Sequence, residues 1–222
     1  PKYESNMFKH ETQVIKFLLQ WYSMNARKLP WRKKNNLNLP HPYFVFVSEY
    51  MLQQTTVNTV KNKFNEFILK WPSLNKLAQT SEPNILEFWS GLGYYSRARN
   101  LLKSAKIIKN NFKNKIPETY DELIQLPGIG DYTAKAILGI GYNKSVMPLD
   151  ANIERILVRL HAIDKPINKV KNKLKDLGKK FISDKYSSNL IQSFMDYGSE
   201  ICLPRNPKCN ICGINKFCQS YK

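Results

Sequence analysis

The stretch Leu126-Pro127-Gly128-Ile129-Gly130-Asp131-Tyr132-Thr133-Ala134 predicts a tight hairpin between two helices. Upstream of it, Thr119 and Glu122 have the spacing of a capping box, so a short helix begins there and ends at Pro127. The glycines permit the backbone conformations that a short turn needs, and an apolar helix follows over 131–142. The start of that helix presents backbone N–H groups at its positive dipole end, which suits an anion.

A hairpin of this kind holds DNA phosphate without reading the base sequence. One Pro-Gly-x-Gly turn is weak evidence by itself, because it also occurs as a plain connection between helices. With Tyr132-Thr133-Ala134 and an apolar helix behind it, the stretch is identified as a helix-hairpin-helix motif. We therefore expect Gly128, Gly130 and Thr133 to bind DNA.

The rest of the chain also has helical patterning, and the predicted fold class is all-α. Apolar residues recur at helical spacing, and we find no convincing alternation typical of strands. An apolar run from Tyr43 to Val47 could be a strand, but its continuation at helical spacing favours a helix. Besides the short helix before the hairpin, the predicted helices cover residues 7–23, 43–70, 93–112, 131–142, 150–162, 167–182 and 187–201.

The composition favours a globular protein that binds a polyanion. Hydrophobic residues make up 42% of the chain, and no apolar run approaches the roughly 18 residues that span a bilayer. Thirty-five Lys and Arg against 17 Asp and Glu give a net charge of +18, which attracts nucleic acid or an anionic membrane face. Lys outnumbers Arg 28 to 7, as AT-rich coding would also produce, so charge alone does not identify the partner.

All four cysteines, Cys202, Cys209, Cys212 and Cys218, lie in the last 21 residues. One tight cluster indicates a metal site rather than a disulfide framework. Zinc sites usually show two C-x2-C pairs, and here only one exists. The C-x6-C-x2-C-x5-C spacing favours a [4Fe–4S] cluster that stabilises the C-terminal loop, with zinc and disulfides as alternatives.

Other residues near these motifs are candidates for contacts with DNA. Arg205 and Lys208, inside the cysteine loop, are either phosphate contacts or ordinary solvated charges. Gln53 and Gln54 are suited to hydrogen-bond base edges or to fill the position that a base has left.

Two carboxyl groups have surroundings that favour opposite protonation states. Glu49 lies within the apolar run, where desolvation would raise its pKa and allow it to act as a general acid; the alternative is a solvated surface carboxylate. Asp150 precedes the helix 151–162 and suits an N-cap, a role that favours the ionised form. Glycosidic cleavage needs such a pair.

Together these segments resemble the helix-hairpin-helix DNA glycosylases, and specifically the adenine DNA glycosylases of the MutY type. The resemblance covers nearly the whole chain, and its most specific parts are MLQQT (51–55) and GLGYYSRARN (91–100). The other matching segments are Leu29-Pro30-Trp31-Arg32, Ser48-Glu49-Tyr50, the hairpin, Leu149-Asp150-Ala151-Asn152 and the cysteine spacing.

The resemblance implies a six-helix barrel over residues 32–145 and an iron–sulfur cluster domain over 1–31 and 146–222, with DNA in the cleft between them. It implies an enzyme that flips adenine out of double-stranded DNA, where adenine is mispaired with 8-oxoguanine or guanine, and removes it. We expect a monomer that does not bind membranes and acts in the bacterial cytoplasm, associated with the nucleoid.

The resemblance also implies roles for individual residues. Glu49 matches the general acid that protonates adenine N7 and then activates water, and Asp150 matches the carboxylate that stabilises the cationic sugar. Asn152 is assigned to the same catalytic group. Tyr132 lies where endonuclease III relatives have a Schiff-base Lys; a phenol cannot form that imine, so we expect base excision without strand cleavage.

The remaining residues carried over from the family contact DNA or the flipped base. Gln54 and Tyr94 match residues that insert into the duplex. Arg97, as a basic side chain, is expected to contact phosphate. Residues assigned to the adenine pocket or to other DNA contacts are Arg27, Leu29, Trp31, Arg32, Gln53 and Gln192.

Three features depart from the family pattern. The segment 33–41 looks longer, and Ala151 replaces the usual Gly. An Asp-Ala-Asn sequence occurs in related thymine/guanine-mismatch glycosylases, so that activity is an alternative, as is a non-catalytic DNA-binding iron–sulfur protein. The chain ends shortly after Cys218, before the C-terminal domain with which full-length relatives recognise 8-oxoguanine, and we expect weaker discrimination between 8-oxoguanine and guanine.

Overall fold

The computed structural model describes residues 2–221, with side chains from His10 onward. Within that range the regular elements are all helical, which confirms the predicted all-α class, and Lys34 and Pro40 form an isolated antiparallel bridge. None of the helices in the described range is long and apolar enough to cross a membrane.

The chain folds as two compact units, one formed by residues 28–142 and the other by residues 1–27 with 143–222. The sequence-based domain boundaries lie at 31/32 and 145/146. Pro1 and Lys222, the ends of the second predicted domain, lie outside the described residues.

The helices follow one another with short connections. In chain order they are α1 (Lys2–Asn25), α2 (Pro42–Leu52), α3 (Val57–Lys70), α4 (Leu74–Ala78), α5 (Glu82–Trp89), α6 (Ser96–Asn111), α7 (Tyr120–Ile124), α8 (Asp131–Ala136), α9 (Ala151–Leu160), α10 (Lys171–Lys179) and α11 (Ser187–Glu200). Helix α8 continues as a π-helical turn over Ile137–Gly141, and 3₁₀ turns cover Pro30–Arg32, Ile167–Lys169, Cys209–Ile211 and Asn215–Phe217.

The unit of residues 28–142 is built around α2. This helix packs against α3, α6, α8 with its π turn, and the 3₁₀ turn at Pro30–Arg32. Because it has neighbours on so many sides, its residues are buried almost all round, and Phe46, Val47 and Met51 are fully inaccessible to solvent. Apolar side chains on every face of the sequence 43–51 are therefore explained by a central helix rather than by a strand.

The unit of residues 1–27 and 143–222 is built around α11. This helix packs against α1 and α9, and α10 packs against α9. Leu190, Ile191 and Phe194 of α11 are completely buried. The Tyr197 ring packs nearly perpendicular to the Trp21 ring of α1, with the ring centroids 5.0 Å apart. The chain terminus that follows α11 forms the cysteine loop, residues 202–218.

The structure differs from the predicted helices in three places. The predicted helix 167–182 is a 3₁₀ turn at Ile167–Lys169 followed by α10. The predicted helix 43–70 is broken into α2 and α3 by a turn in which Gln54 has φ +57°. Helices α4 and α5 were not predicted, because they are short. Pro83 lies in the first turn of α5, where proline is tolerated.

Candidate functional site

The hairpin at residues 126–130 is anchored from within by its apolar side chains. Leu126 and Ile129 are buried, whereas Gly128 and Gly130 are exposed at the turn. Gly128 has φ +79°, and a Cβ atom on it would lie 2.9 Å from Asn100 Nδ2 and 3.2 Å from Tyr50 Cε1. Glycine is therefore required at this position both for its backbone conformation and for the close approach.

Helices α2 and α6 supply a polar support for the hairpin that sequence analysis did not identify. The Tyr50 hydroxyl donates to the carbonyl oxygen of Pro127 at 2.5 Å and lies 2.8 Å from Ser104 Oγ, which also donates to that carbonyl. Gln53, predicted to contact DNA, donates through Nε2 to the Gly128 carbonyl at 3.2 Å. No local motif links these residues, because they come from separate helices.

The first turn of α8 presents backbone rather than side chains at the hairpin. The Thr133 side chain is buried (5% exposed), so the DNA contact expected of this residue would involve its backbone N–H. Tyr132 is half-buried. Asp131 accepts hydrogen bonds from the Tyr120 hydroxyl at 2.9 Å and from Lys135 Nζ at 3.2 Å.

Glu49 lies near the C-terminal end of α2 and is 6% exposed. The alternative of a solvated surface carboxylate is therefore wrong. The residues on either side, Ser48 and Tyr50, are also buried, and the Ser48 hydroxyl donates to Val45 O within the helix. The apolar neighbours in the sequence correctly indicated a desolvated carboxyl group.

Asp150 is the N-cap of α9, as its sequence position predicted. Its carboxylate accepts hydrogen bonds from the backbone N–H of Ile153 at 2.7 Å and from Asn152 Nδ2 at 3.2 Å. Capping favours the ionised form, as expected, but it is not the only influence on this carboxyl group. Burial raises the pKa of Asp150 above its ordinary value, while these hydrogen bonds and the charge of Arg155 oppose that rise.

The two residues predicted to enter the duplex are exposed at loop tips in residues 28–142. Gln54 follows the end of α2, and Tyr94, which is 62% exposed, precedes α6. Both have left-handed backbone conformations, with φ +57° and +48°. Arg97 is different: it is 5% exposed and donates to backbone carbonyls, so the expected phosphate contact is not available to its side chain.

Several predicted pocket residues have structural partners. Arg27 forms an ion pair with the fully buried Asp196, whose Oδ1 lies 2.6 Å from Arg27 Nε. Leu29 and Trp31 are buried, and the Trp31 ring packs edge-on against Phe64. Arg32, at the end of the same 3₁₀ turn, is half-buried.

Gln192 was also predicted to bind the substrate or DNA. It is 2% exposed, and its Nε2 donates to the carbonyl oxygen of Ser188 at 3.0 Å within α11. The packing of α11 against two helices buries it, and its Oε1 atom has no hydrogen-bond partner among the described residues.

The four cysteines line one cavity in the cysteine loop, with an empty volume of about 410 Å³ that is partly open to solvent. None of these thiols is in a disulfide. In the described chain no three His, Cys, Asp or Glu side chains are arranged to hold a single metal ion. Four sulfurs around a wider cavity fit a [4Fe–4S] cluster, in which each cysteine binds a different iron, better than one zinc ion.

Residues of α9 and α11 hold this loop, and sequence analysis did not identify them. Arg159 donates to the Leu203 carbonyl at 2.7 Å and lies 3.3 Å from Cys202 Sγ, and Arg155 donates to the Cys202 carbonyl at 2.8 Å. The Tyr197 hydroxyl donates to Cys212 Sγ at 3.2 Å. The predicted phosphate contacts of the loop, Arg205 and Lys208, are both exposed.

A family model described as "HhH-GPD superfamily base excision DNA repair protein" matches residues 47–180 of this chain. The match begins two residues before Glu49, includes the hairpin and Asp150, and ends before the cysteine loop. Its span is more than half of the chain.

Curated relatives and one solved structure are similar over most of the chain. An adenine DNA glycosylase of Buchnera aphidicola subsp. Baizongia pistaciae (strain Bp) is 45% identical over 206 residues, and one of Rattus norvegicus is 38% identical over 211 residues. Each match covers 92% of this chain, which spans 57% and 41% of the length of the two relatives. The structure of a thermostable thymine-DNA glycosylase superposes on this chain with a TM-score of 0.85 and 25% sequence identity. The superposition covers 96% of this chain and 97% of the glycosylase chain.

Proposed function

Because this chain belongs to the HhH-GPD superfamily of base excision DNA repair proteins, we propose that it hydrolyses the bond between adenine and deoxyribose in DNA. The substrate would be double-stranded DNA in which adenine is mispaired with 8-oxoguanine or guanine. The observation that carries this proposal is the 45% identity with an adenine DNA glycosylase over 92% of the chain.

The proposed mechanism divides the work between the two carboxyl groups. Glu49 donates a proton to adenine N7, and the glycosidic bond breaks with its electron pair on the base. Asp150, as a carboxylate, stabilises the positive charge that develops on the sugar. The Glu49 carboxylate then accepts a proton from the water that attacks C1′. Glu49 is buried and Asp150 is half-buried, and removal from water strengthens their charge interactions with the reacting atoms.

Asn152 and Tyr132 have supporting roles in this proposal. Asn152 donates to Asp150 Oδ2 and accepts from Arg155 Nη2 at 2.7 Å, so it orients the carboxylate. Tyr132 provides no amine for a Schiff base with the sugar. The protein would therefore release adenine and leave the strand intact.

For DNA binding, we propose the exposed groups at the hairpin and loop tips. The backbone at Gly128, Gly130 and Thr133 would hold phosphate, and Gln54 with Tyr94 would enter the stack as adenine flips out. Arg205 and Lys208 would add phosphate contacts, which makes affinity salt-dependent. We propose that the protein acts as a monomer on intracellular DNA.

For the architecture, we propose that residues 32–145 form the six-helix barrel and that the other residues form the cluster domain. Cys202, Cys209, Cys212 and Cys218 would hold a [4Fe–4S] cluster. When bound, the cluster supplies cross-links within a loop that buries little apolar surface.

Removal of thymine opposite guanine is the second candidate activity. The Asp150-Ala151-Asn152 sequence and the similarity to a thymine-DNA glycosylase structure favour it. The same two carboxyl groups would serve, so only the base specificity separates the two proposals.

A single-turnover panel of duplexes containing A:8-oxoG, A:G or T:G mispairs tests the proposal. We expect adenine release, with no strand scission before alkali or heat is applied. Glu49→Gln should lower the rate by about 10²–10⁴-fold, and Asp150→Asn by about 10²-fold or more. The matched control Glu66→Gln changes an exposed carboxylate of α3 and should keep the wild-type rate. Release of thymine alone would establish the second candidate, and release of neither base would refute both.

A further inference from the structure

The guanidinium of Arg97 joins two loops of the unit formed by residues 28–142. Arg97 lies in the first turn of α6, and its Nη1 and Nη2 atoms point to different segments. Nη1 donates to the end of α2 and Nη2 to the loop before α6. The acceptors are the carbonyl oxygens of Tyr50 (3.2 Å), Met51 (2.7 Å), Gln53, Leu92 (2.8 Å) and Gly93 (3.0 Å).

Each of the two loops needs such an anchor. Gln54 has φ +57° and Tyr94 has φ +48°, conformations that disfavour residues with a side chain and that persist only when the surroundings hold them. The residue before each of them, Gln53 or Gly93, presents its carbonyl to Arg97. The side chains of Gln54 and Tyr94 remain exposed.

A lysine could not replace these contacts. The planar guanidinium offers donors in a fixed fork, whereas an ammonium is a point charge with three donors on a flexible chain. The guanidinium also lies near the Trp89 ring, 5.4 Å from its centroid, and the Trp89 indole donates to Gly93 O at 3.1 Å. The loop before α6 is thus held from two sides.

We propose that Arg97 is a positioning residue that holds the tips of both loops in one geometry, so that Gln54 and Tyr94 enter the base stack together. The inference rests on the proposed function, because it concerns the step that flips adenine. It assigns to Arg97 a role without any contact to DNA. Without the guanidinium of Arg97, the two loops would move independently. The fraction of bound duplex in which the adenine is unstacked would then fall.

The test uses a duplex with 2-aminopurine beside a non-cleavable adenine opposite guanine, since 2-aminopurine fluoresces more when it is unstacked. At saturating protein, the wild type should raise the fluorescence and Arg97→Lys should raise it clearly less. Single-turnover adenine release from the cleavable A:G duplex should fall by about 10²-fold in Arg97→Lys, the size of effect that misplacement by about 1 Å produces.

Leu77→Ala is the control for simple destabilisation. Leu77 is fully buried in α4, which packs against α6 and belongs to neither loop. The substitution leaves a cavity in the core and should lower the melting temperature. At a temperature where both variants are folded, it should keep the wild-type fluorescence rise and rate.

The outcomes separate this inference from the proposed function. A full fluorescence rise with Arg97→Lys, or an equal defect with Leu77→Ala, would overturn the positioning role. A wild-type protein that neither unstacks nor releases adenine would overturn the proposed function and the inference with it.

Gly93→Ala gives the same test if Arg97→Lys does not fold. A Cβ atom at Gly93 would meet nothing within 4 Å, but φ +69° is strained for alanine, so the change loosens one loop without a clash. A smaller fluorescence rise at saturating protein is expected, and an unchanged rise would contradict the proposal.

Discussion

The hairpin at residues 126–130 and the cysteine loop at residues 202–218 are both irregular segments, yet the protein holds them differently. The hairpin buries Leu126 and Ile129, and its Pro127 carbonyl accepts from two side chains of neighbouring helices. In the cysteine loop, all of which the structure describes, Ile214 is the only buried residue.

This difference indicates how each segment obtains its rigidity. The hairpin is stabilised by apolar burial and by hydrogen bonds to its own backbone, so it forms without a ligand. The cysteine loop surrounds a cavity lined by thiols and contributes little apolar surface to a core. A cofactor bound by the four cysteines would supply the cross-links that burial does not.

The largest effect is expected from Cys212→Ser, which removes one of the four thiols proposed to hold the cysteine loop. We expect loss of the visible iron–sulfur absorbance, proteolysis within 202–218, and a fall of about 4 kcal/mol or more in the free energy of unfolding, in the range seen when a structural metal is lost. Ile211→Ser changes an exposed residue between the ligands and should keep the cluster. A Cys212→Ser protein with full absorbance and an intact loop would show that the loop is held in another way.

An intermediate effect is expected from Gly128→Ala in the hairpin. The new Cβ atom would be strained at φ +79° and would approach Asn100 and Tyr50 too closely. We expect a loss of about 1–3 kcal/mol in the free energy of unfolding, measured with urea. Gly130→Ala is the matched control: it has an extended backbone and nothing within 4 Å of the added atom, so it should change stability by less than about 0.5 kcal/mol. Equal effects of the two substitutions would contradict the view that packing holds this turn.

The smallest effect is expected from Asp150→Asn. Asp150 caps α9 with its side chain, whereas α8 begins after the hairpin without a side-chain cap. Asparagine caps a helix as well as aspartate does. Since burial raises the pKa of Asp150 in the folded state, the ionised form costs stability at neutral pH, and Asp150→Asn should slightly raise the free energy of unfolding.

The sign of this effect depends on pH. The advantage of Asp150→Asn should be present above the folded-state pKa and should disappear as the pH falls below the ordinary carboxyl value, because Asp150 is then neutral in both states. Thermal melts of both proteins across that range measure it. A destabilised variant at neutral pH would mean that the charge of Asp150 contributes more to the fold than its burial costs.

Features that neighbouring residues determine could be predicted from the sequence. The N-cap at Thr119 was confirmed, because its hydroxyl accepts from the Glu122 N–H, whereas the Glu122 carboxylate accepts from the Thr119 hydroxyl at 2.6 Å. Glu49 was expected to be desolvated because the residues around it are apolar, and it is buried. The break at Gln54 was missed, because the apolar spacing continues across it and no glycine or proline marks the turn.

The prediction was weakest for Arg97, whose partners include carbonyl oxygens at the distant end of α2. It was expected to contact phosphate, and it is buried with backbone partners. A basic or amide side chain looks the same in the sequence whether it reaches solvent or a carbonyl at the end of another helix.

The amino-acid sequence alone was sufficient for the all-helical class, the hairpin turn, the cap at Asp150 and the grouping of the four cysteines, because backbone conformation and residue spacing act over a few positions. Packing between helices was needed to show that Tyr50 and Ser104 support the hairpin, that Arg155 and Arg159 hold the cysteine loop, and that Arg97 connects two loops. These contacts join residues that are far apart along the chain, and their geometry exists only once the helices have assembled.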